Sequence, residues 1–182
     1  MKLLLTLIFL LVLPTKLLLA ADNLYQVSLL RASPGDMPAL IELAKASKAE
    51  LKGEMIIMRH SQGDHWDLML LSAASDGLPE QTSHQSKADF QHDFLATCEC
   101  DWKAVKQSSK GAALFHIKMF QAASGLYDKL LEQRNMENNY LVATQRNANL
   151  IFETKFGSDV DIFTLAIYKD LPSFATDPDL PS

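Results

Sequence analysis

The chain has 182 residues, of which 48% are hydrophobic and 21% charged, and its net charge is −5. That balance excludes wholesale disorder, a collagen-like fibre and a low-complexity chain. An acidic chain without a basic run lacks the electrostatic footprint of a nucleic-acid binder, and its 2 cysteines are too few for a disulfide scaffold.

Residues 1–21 read as a secretory signal peptide. Lys2 supplies a short positive start, Leu3 to Leu13 is apolar apart from Thr6, and Ala20 and Ala21 offer a cleavage site. Pro14 and Lys16 interrupt the run, which falls short of the ~20 apolar residues that span a bilayer. The expected location is therefore periplasmic or secreted, with no membrane span after cleavage. Losing Lys2 and Lys16 makes the mature chain more acidic still.

The rest of the chain duplicates itself in pattern. Leu24-Tyr25-Gln26-Val27-Ser28-Leu29-Leu30 matches Leu114-Phe115-His116-Ile117-Lys118-Met119-Phe120 at an offset of 90 residues. The match runs on through Gly35 with Gly125, Leu40 with Leu130 and Glu42 with Glu132. After a short slip it resumes with Gly63 and Gly157, then Asp67 and Asp161.

Each copy reads strand, helix, strand, strand. In the first, alternation predicts a strand over 24–31. Ser33 is placed as the N-cap of a helix, with Pro34 at its first position and Asp36 in its first turn. Met37, Leu40, Ile41, Ala44 and Leu51 form its apolar stripe, and Gly53 stops it. Strands at 55–60 and 66–72 follow, joined as a hairpin at Ser61-Gln62-Gly63-Asp64. The second copy predicts a strand at 113–121, a helix over 125–141 in which Arg134 replaces the expected Ala, and strands at 149–156 and 160–168. Between the copies stand a polar linker, Ser72 to Ser86, and a helix over 87–107 with Phe90, Phe94, Cys98, Trp102 and Val105 on one face.

The expected class is α+β: two βαββ ferredoxin-like repeats linked by a helix, with antiparallel sheets. The first repeat with its linker helix covers 22–110, a second and incomplete repeat 111–170, and a C-terminal tail 171–182. Ser33-Pro34-Gly35-Asp36 ahead of a helix, and a hairpin ending His65-Trp66-Asp67-Leu68-Met69-Leu70-Leu71, resemble the dimeric α/β-barrel superfamily. That group includes the antibiotic-biosynthesis monooxygenases and the NIPSNAP family, and the tandem repeat looks most like the latter. The resemblance implies a dimeric α/β-barrel-type arrangement and a homodimer. It transfers no catalytic residue. A complete second unit needs another helix and strand, and the residues after Asp170 do not supply them, so a second subunit is one way to close the barrel.

Strand alternation places Tyr25, Val27, Leu29, Phe115, Ile117 and Met119 on faces expected to pack under helices. The opposite faces, with Gln26, Ser28, His116, Lys118 and Phe120, are the candidate cavity lining and ligand-binding set, because small-molecule pockets combine apolar walls with a few orienting polar groups. His116 leads that set: an ammonium two residues away at Lys118 favours the neutral imidazole, free to act as base or ligand. His60 and His65 flank the hairpin turn and are minor metal candidates, against the plainer reading of an exposed polar turn.

Cys98 falls on the apolar helical face as a core thiol. Cys100 lies about 200° around an intact helix, which disfavours a bridge between them. The objection disappears if the helix stops before Cys98, and an intersubunit disulfide through Cys100 is the other option in an oxidising compartment. No nucleophile elbow, phosphate loop or dinucleotide fingerprint is present, so no cofactor is expected. The leading function is binding of a small, largely apolar molecule. The alternatives are a cofactor-independent oxygenase or isomerase of the same superfamily, and a non-catalytic assembly module.

Overall fold

Runs of alternating residues such as Tyr25-Gln26-Val27-Ser28-Leu29 can bury one side of a pleated chain while the other meets a different environment, so they form strands. A computed structural model describes residues 23–61, 65–74 and 84–176. The signal-peptide reading and the tip of the first hairpin at 62–64 lie outside the described residues, as do 75–83 and 177–182.

The first half contributes β1 (Asn23–Ala32), α1 (Met37–Glu50), β2 (Ile56–Arg59), β3 (Leu68–Ala73) and β4 (Ala88–Cys98). A short helix α2 (Trp102–Ser109) leads to β5 (Leu114–Phe120), α3 (Tyr127–Ala143), β6 (Leu150–Phe156), β7 (Ile162–Tyr168) and α4 (Leu171–Ala175). The strands form one antiparallel, nearly closed, barrel-like sheet in the order β2-β3-β1-β4-β6-β7-β5.

Two expectations about the elements are corrected. Residues 87–107 are not one helix: β4 occupies 88–98, and the helix begins only at Trp102. Phe90, Phe94 and Cys98 recur every fourth residue, a spacing that puts them on one face of a helix and equally on one face of a strand. The intervening His92 and Ala96 point the same way, since Leu29 faces His92 and Tyr25 faces Ala96 in the register. The pairing of β4 with β1 along its whole length decides the matter.

Ser33-Pro34-Gly35-Asp36 is a turn closed by Asp36 N–H donating to the Ser33 carbonyl, 2.9 Å, and α1 starts after it with Pro38 in its first turn.

The sequence expectation also exchanged the two faces of the sheet. Tyr25, Val27, Leu29, Met69, Leu71, Phe94, Phe152 and Phe163 form the barrel interior, with Phe115, Ile117 and Met119 at its margin. The rings of Phe152 and Phe163 stack at 4.5 Å, and Tyr25 meets Phe152 edge-on at 5.1 Å. Helices α1 and α3 pack on the outer face, Leu40 and Ala44 of α1 burying against Leu30, Leu68 and Leu70, whereas Val105 of α2 joins the interior cluster. An apolar strand face is needed wherever a strand is covered, and in a barrel the inside is the better covered side. Sequence alternation separates the faces without saying which is which.

Corresponding positions of the two halves make corresponding bonds. Asp67 Oδ2 accepts from Ala32 N–H at 2.8 Å, and Asp161 Oδ2 accepts from Ala122 N–H at 2.7 Å. Asp67 N–H donates to Leu30 O and Asp161 N–H to Phe120 O. The β6–β7 turn needs Gly157, whose φ is +93° and whose added Cβ would sit 2.9 Å from the Asp93 carbonyl of β4.

Cys98 and Cys100 are joined by a disulfide, with Cα atoms 5.1 Å apart. Because β4 ends at Cys98, no helix separates the thiols, and Asp101 then caps α2 by accepting from Ala104 N–H at 2.6 Å. The Tyr25 hydroxyl donates to the Cys100 carbonyl. Burial, with the Asp101 carboxylate nearby, pushes the Tyr25 phenol up to about 12.

Candidate functional site

An antiparallel sheet closes on itself only with an even number of strands. Here an even number of antiparallel steps separates the two edge strands, so β2 and β5 run in the same direction and cannot complete the antiparallel ring. Between these unpaired edges lies a slot of about 650 Å³. One wall is β2 and its end, including Met58, Arg59 and His60, with Trp66 behind. The other is the start of β5, including Phe115, His116 and Ile117, and α4 adds Leu171 and Phe174.

His60 stacks on Trp66 with ring centres 4.3 Å apart, and its Nδ1 lies 3.2 Å from the Trp66 carbonyl. A hydrogen bond there puts the proton on Nδ1 and makes Nε2 the acceptor nitrogen of the neutral ring. His116 meets Phe174 edge-on at 5.0 Å. Burial and the Lys118 ammonium hold its imidazole below the ordinary 6.5, while the Glu137 carboxylate pulls the other way.

Of the five residues expected to line a cavity, His116 borders this slot. Lys118 and Phe120 lie under α3 instead. Lys118 Nζ bonds Glu137 Oε1 at 2.9 Å, and the Arg134 guanidinium sits 4.2 Å over the Phe120 ring while bonding Glu137 at 2.6 Å. The Arg134 that replaced an expected Ala is therefore a buried cation stacked on an aromatic face. On β1, Ser28 is buried opposite Leu70 and Asp93, and Gln26 faces Ser72 and Leu95, all on the outer side of the sheet.

The metal pair is not brought together. His60 turns to Trp66, whereas His65 packs edge-on against Phe90 at 5.4 Å. Residues missed in the sequence are Trp66, Phe115, Phe174 and Met58. The sequence carried no clear signal for them, because reading 88–98 as helix left six strands, an even number with no odd edge, and only β4 makes the count seven.

At its lower end the slot continues into a second cavity shared by Ile57, Ala112 and Phe115, around which stand Lys48, Lys103, Lys106 and Lys110. Lys106 pairs with Glu54 at 2.6 Å, and that contact together with the Trp102 indole N–H holds the Glu54 carboxyl below its ordinary range. The chain matches no protein-family model, and no curated protein or solved structure is significantly similar to it. The fold and the slot thus define a class, an α+β protein with a seven-strand, nearly closed antiparallel sheet open at one seam.

Proposed function

We propose that the protein is an exported binding protein of the dimeric α/β-barrel type, whose slot between β2 and β5 takes a small, largely apolar ligand carrying a hydrogen-bond acceptor or an anionic group. The observation that carries the reading is the slot itself: its volume falls in the ordinary range for ligand pockets, and its walls are aromatic and aliphatic with Arg59, His60 and His116 among them. The interior of the barrel is filled by side chains, which leaves the seam as the place for a ligand.

The superfamily reading draws support from the order β4-β1-β3-β2 in the first half and from the equivalent aspartate bonds of the two halves. Export is supported by the Cys98–Cys100 disulfide, a bond that persists in oxidising compartments. A homodimer is supported by the exposed apolar side chains Met136 and Tyr140, one turn apart on the same face of α3.

One observation favours an enzyme of the cofactor-independent oxygenase or isomerase type instead. His116 borders the slot and is held toward its neutral form, which suits a general base. Native mass spectrometry of protein purified from its exported compartment, beside the same sample denatured, tests these readings. A mass lost on denaturation, and absent from a slot-filling Met58→Trp variant, supports the binding reading. Conversion of that compound on return to the protein supports the enzyme. A dimer with no extra mass supports the assembly module.

A further inference from the structure

The slot has a property that a simple apolar pocket lacks. It is bounded on two opposite sides by strand edges, and every second residue of each edge turns an N–H and a C=O toward the gap. Because β2 and β5 are parallel to each other, one added strand running the opposite way is antiparallel to both and completes an even-numbered ring. An extended backbone is therefore the ligand shape that satisfies both edges at once.

Direction follows from the same topology. β2 and β5 both begin at the end of the slot shared with the lysine-rimmed cavity, so the added strand runs toward that end and finishes there. Lys48, Lys103 and Lys110 stand at that finish without an ion-pair partner among the described residues. A carboxylate at the C-terminal end of the added strand meets them; an N-terminal ammonium at that end is excluded by repulsion.

The walls set the side chains. One alternate set of an inserted strand faces Met58, Phe115 and Ile117 and is apolar; the other faces Ile57 and Phe174 together with Arg59 and His116, where a side chain carrying both a methyl and a hydroxyl fits.

We propose that the slot binds a short peptide in extended conformation, inserted as a strand antiparallel to both β2 and β5, with its terminal carboxylate among Lys48, Lys103 and Lys110. This rests on the slot being the ligand site. The lengths of the two edges, 4 residues in β2 and 7 in β5, set the bound segment at about that range. A free oligopeptide and the C-terminal segment of another protein present the same chemistry. The chain's own residues 177–182 are a poorer occupant, since Pro178 and Pro181 lack the N–H that a central strand must donate.

The test is fluorescence anisotropy with dansyl-Gly-Val-Thr-Val-Thr-Leu bearing a free carboxylate, titrated with the mature protein. The expected result is saturable binding, about tenfold weaker for the C-terminal amide, and lost when alternate peptide nitrogens are methylated. In Lys103→Gln/Lys110→Gln protein the acid should bind only as well as the amide does. The same hexapeptide fused to the C-terminus of a carrier protein, compared with the free form, tells which source the site accepts.

Equal binding of acid, amide and methylated forms overturns the proposal and leaves an apolar slot. No peptide binding while anilinonaphthalene sulfonate binds and is displaced by Met58→Trp also overturns it, with the ligand-site reading intact. Failure of both probes sinks both readings. Peptide binding seen only after 177–182 are replaced by a Gly-Ser repeat assigns the slot to the chain's own tail. A dimer that excludes the peptide and dissociates in Ile117→Lys assigns it to a second copy.

Discussion

His60 and His116 stand on opposite walls of one slot, His60 just past the end of β2 and His116 in β5, although 56 residues separate them in the chain. No ladder bond joins the strands that carry them. The open seam brings the two imidazoles to a common space, and each is held by an aromatic neighbour: Trp66 for His60 and Phe174 for His116.

His116 gives the protein a pH response with a definite sign. Its value in the fold lies below the ordinary 6.5, through burial and Lys118, so the unfolded chain takes up the proton first as pH falls. Stability should fall as pH drops through about 6.5 and level off below the depressed folded value. Urea midpoints at pH 7.5 and 5.5 check this: the difference should shrink in His116→Gln. In Lys118→Met, the imidazole titration followed by NMR should move upward. A midpoint for His116 above 6.5 in the native protein would remove the argument.

Asp67 and Asp161 should behave as a matched pair. Each carboxylate accepts from a backbone N–H at or just past the end of a strand, Ala32 of β1 or Ala122 after β5. Asp67→Ala and Asp161→Ala should each destabilise by about 1–3 kcal/mol in urea titration, because each leaves a backbone donor without its partner. A cost at one site and none at the other would deny their equivalence.

Gly157 should not tolerate a side chain. Its φ of +93° disfavours any L residue, and the Cβ would lie 2.9 Å from a backbone carbonyl, which cannot swing aside as a side chain can. Gly157→Ala should cost at least about 2 kcal/mol and shift the thermal midpoint down. Gly35→Ala meets no atom within 4 Å and carries only the backbone cost.

Thr154 offers the opposite outcome. Its Oγ1 is buried without a hydrogen-bonding partner among the described residues, on the strand position that faces Ala96 inside the barrel. Thr154→Val keeps the shape and removes an unsatisfied hydroxyl, so it should stabilise by about 1 kcal/mol. A loss of stability would mean that the hydroxyl has a partner after all.

Much of this fold was legible in the chain. Tyr25 to Leu30 and Phe115 to Phe120 alternate, and β1 and β5 lie within a residue or two of their expected bounds; β6 and β7 follow the same logic. The misreadings have physical causes. Phe90, Phe94 and Cys98 satisfy both periodicities, so β4 read as helix, and with it went the argument against the Cys98–Cys100 bond. The faces were exchanged because an apolar stripe states that it is covered without stating by what. Lys118 and Phe120, expected at a cavity, are instead taken up by Glu137 and Arg134 of α3. His116 reached the slot because β5 is an edge strand, whose residues border the seam on both faces.

The most direct measurement of the central claim is the emission of Trp66 in a Trp102→Phe protein, which leaves it as the single tryptophan of the 2 in the chain. Trp66 borders the slot and is otherwise buried, so a ligand seated between β2 and β5 must perturb it. Titration with anilinonaphthalene sulfonate, an apolar ring system with one anionic group, should quench Trp66 saturably at one site per chain. Dye binding, read by the dye's own fluorescence, should vanish in the slot-filling variant Met58→Trp. Dye binding that leaves Trp66 unchanged, or that survives filling of the slot, would contradict the assignment of the seam as the binding site.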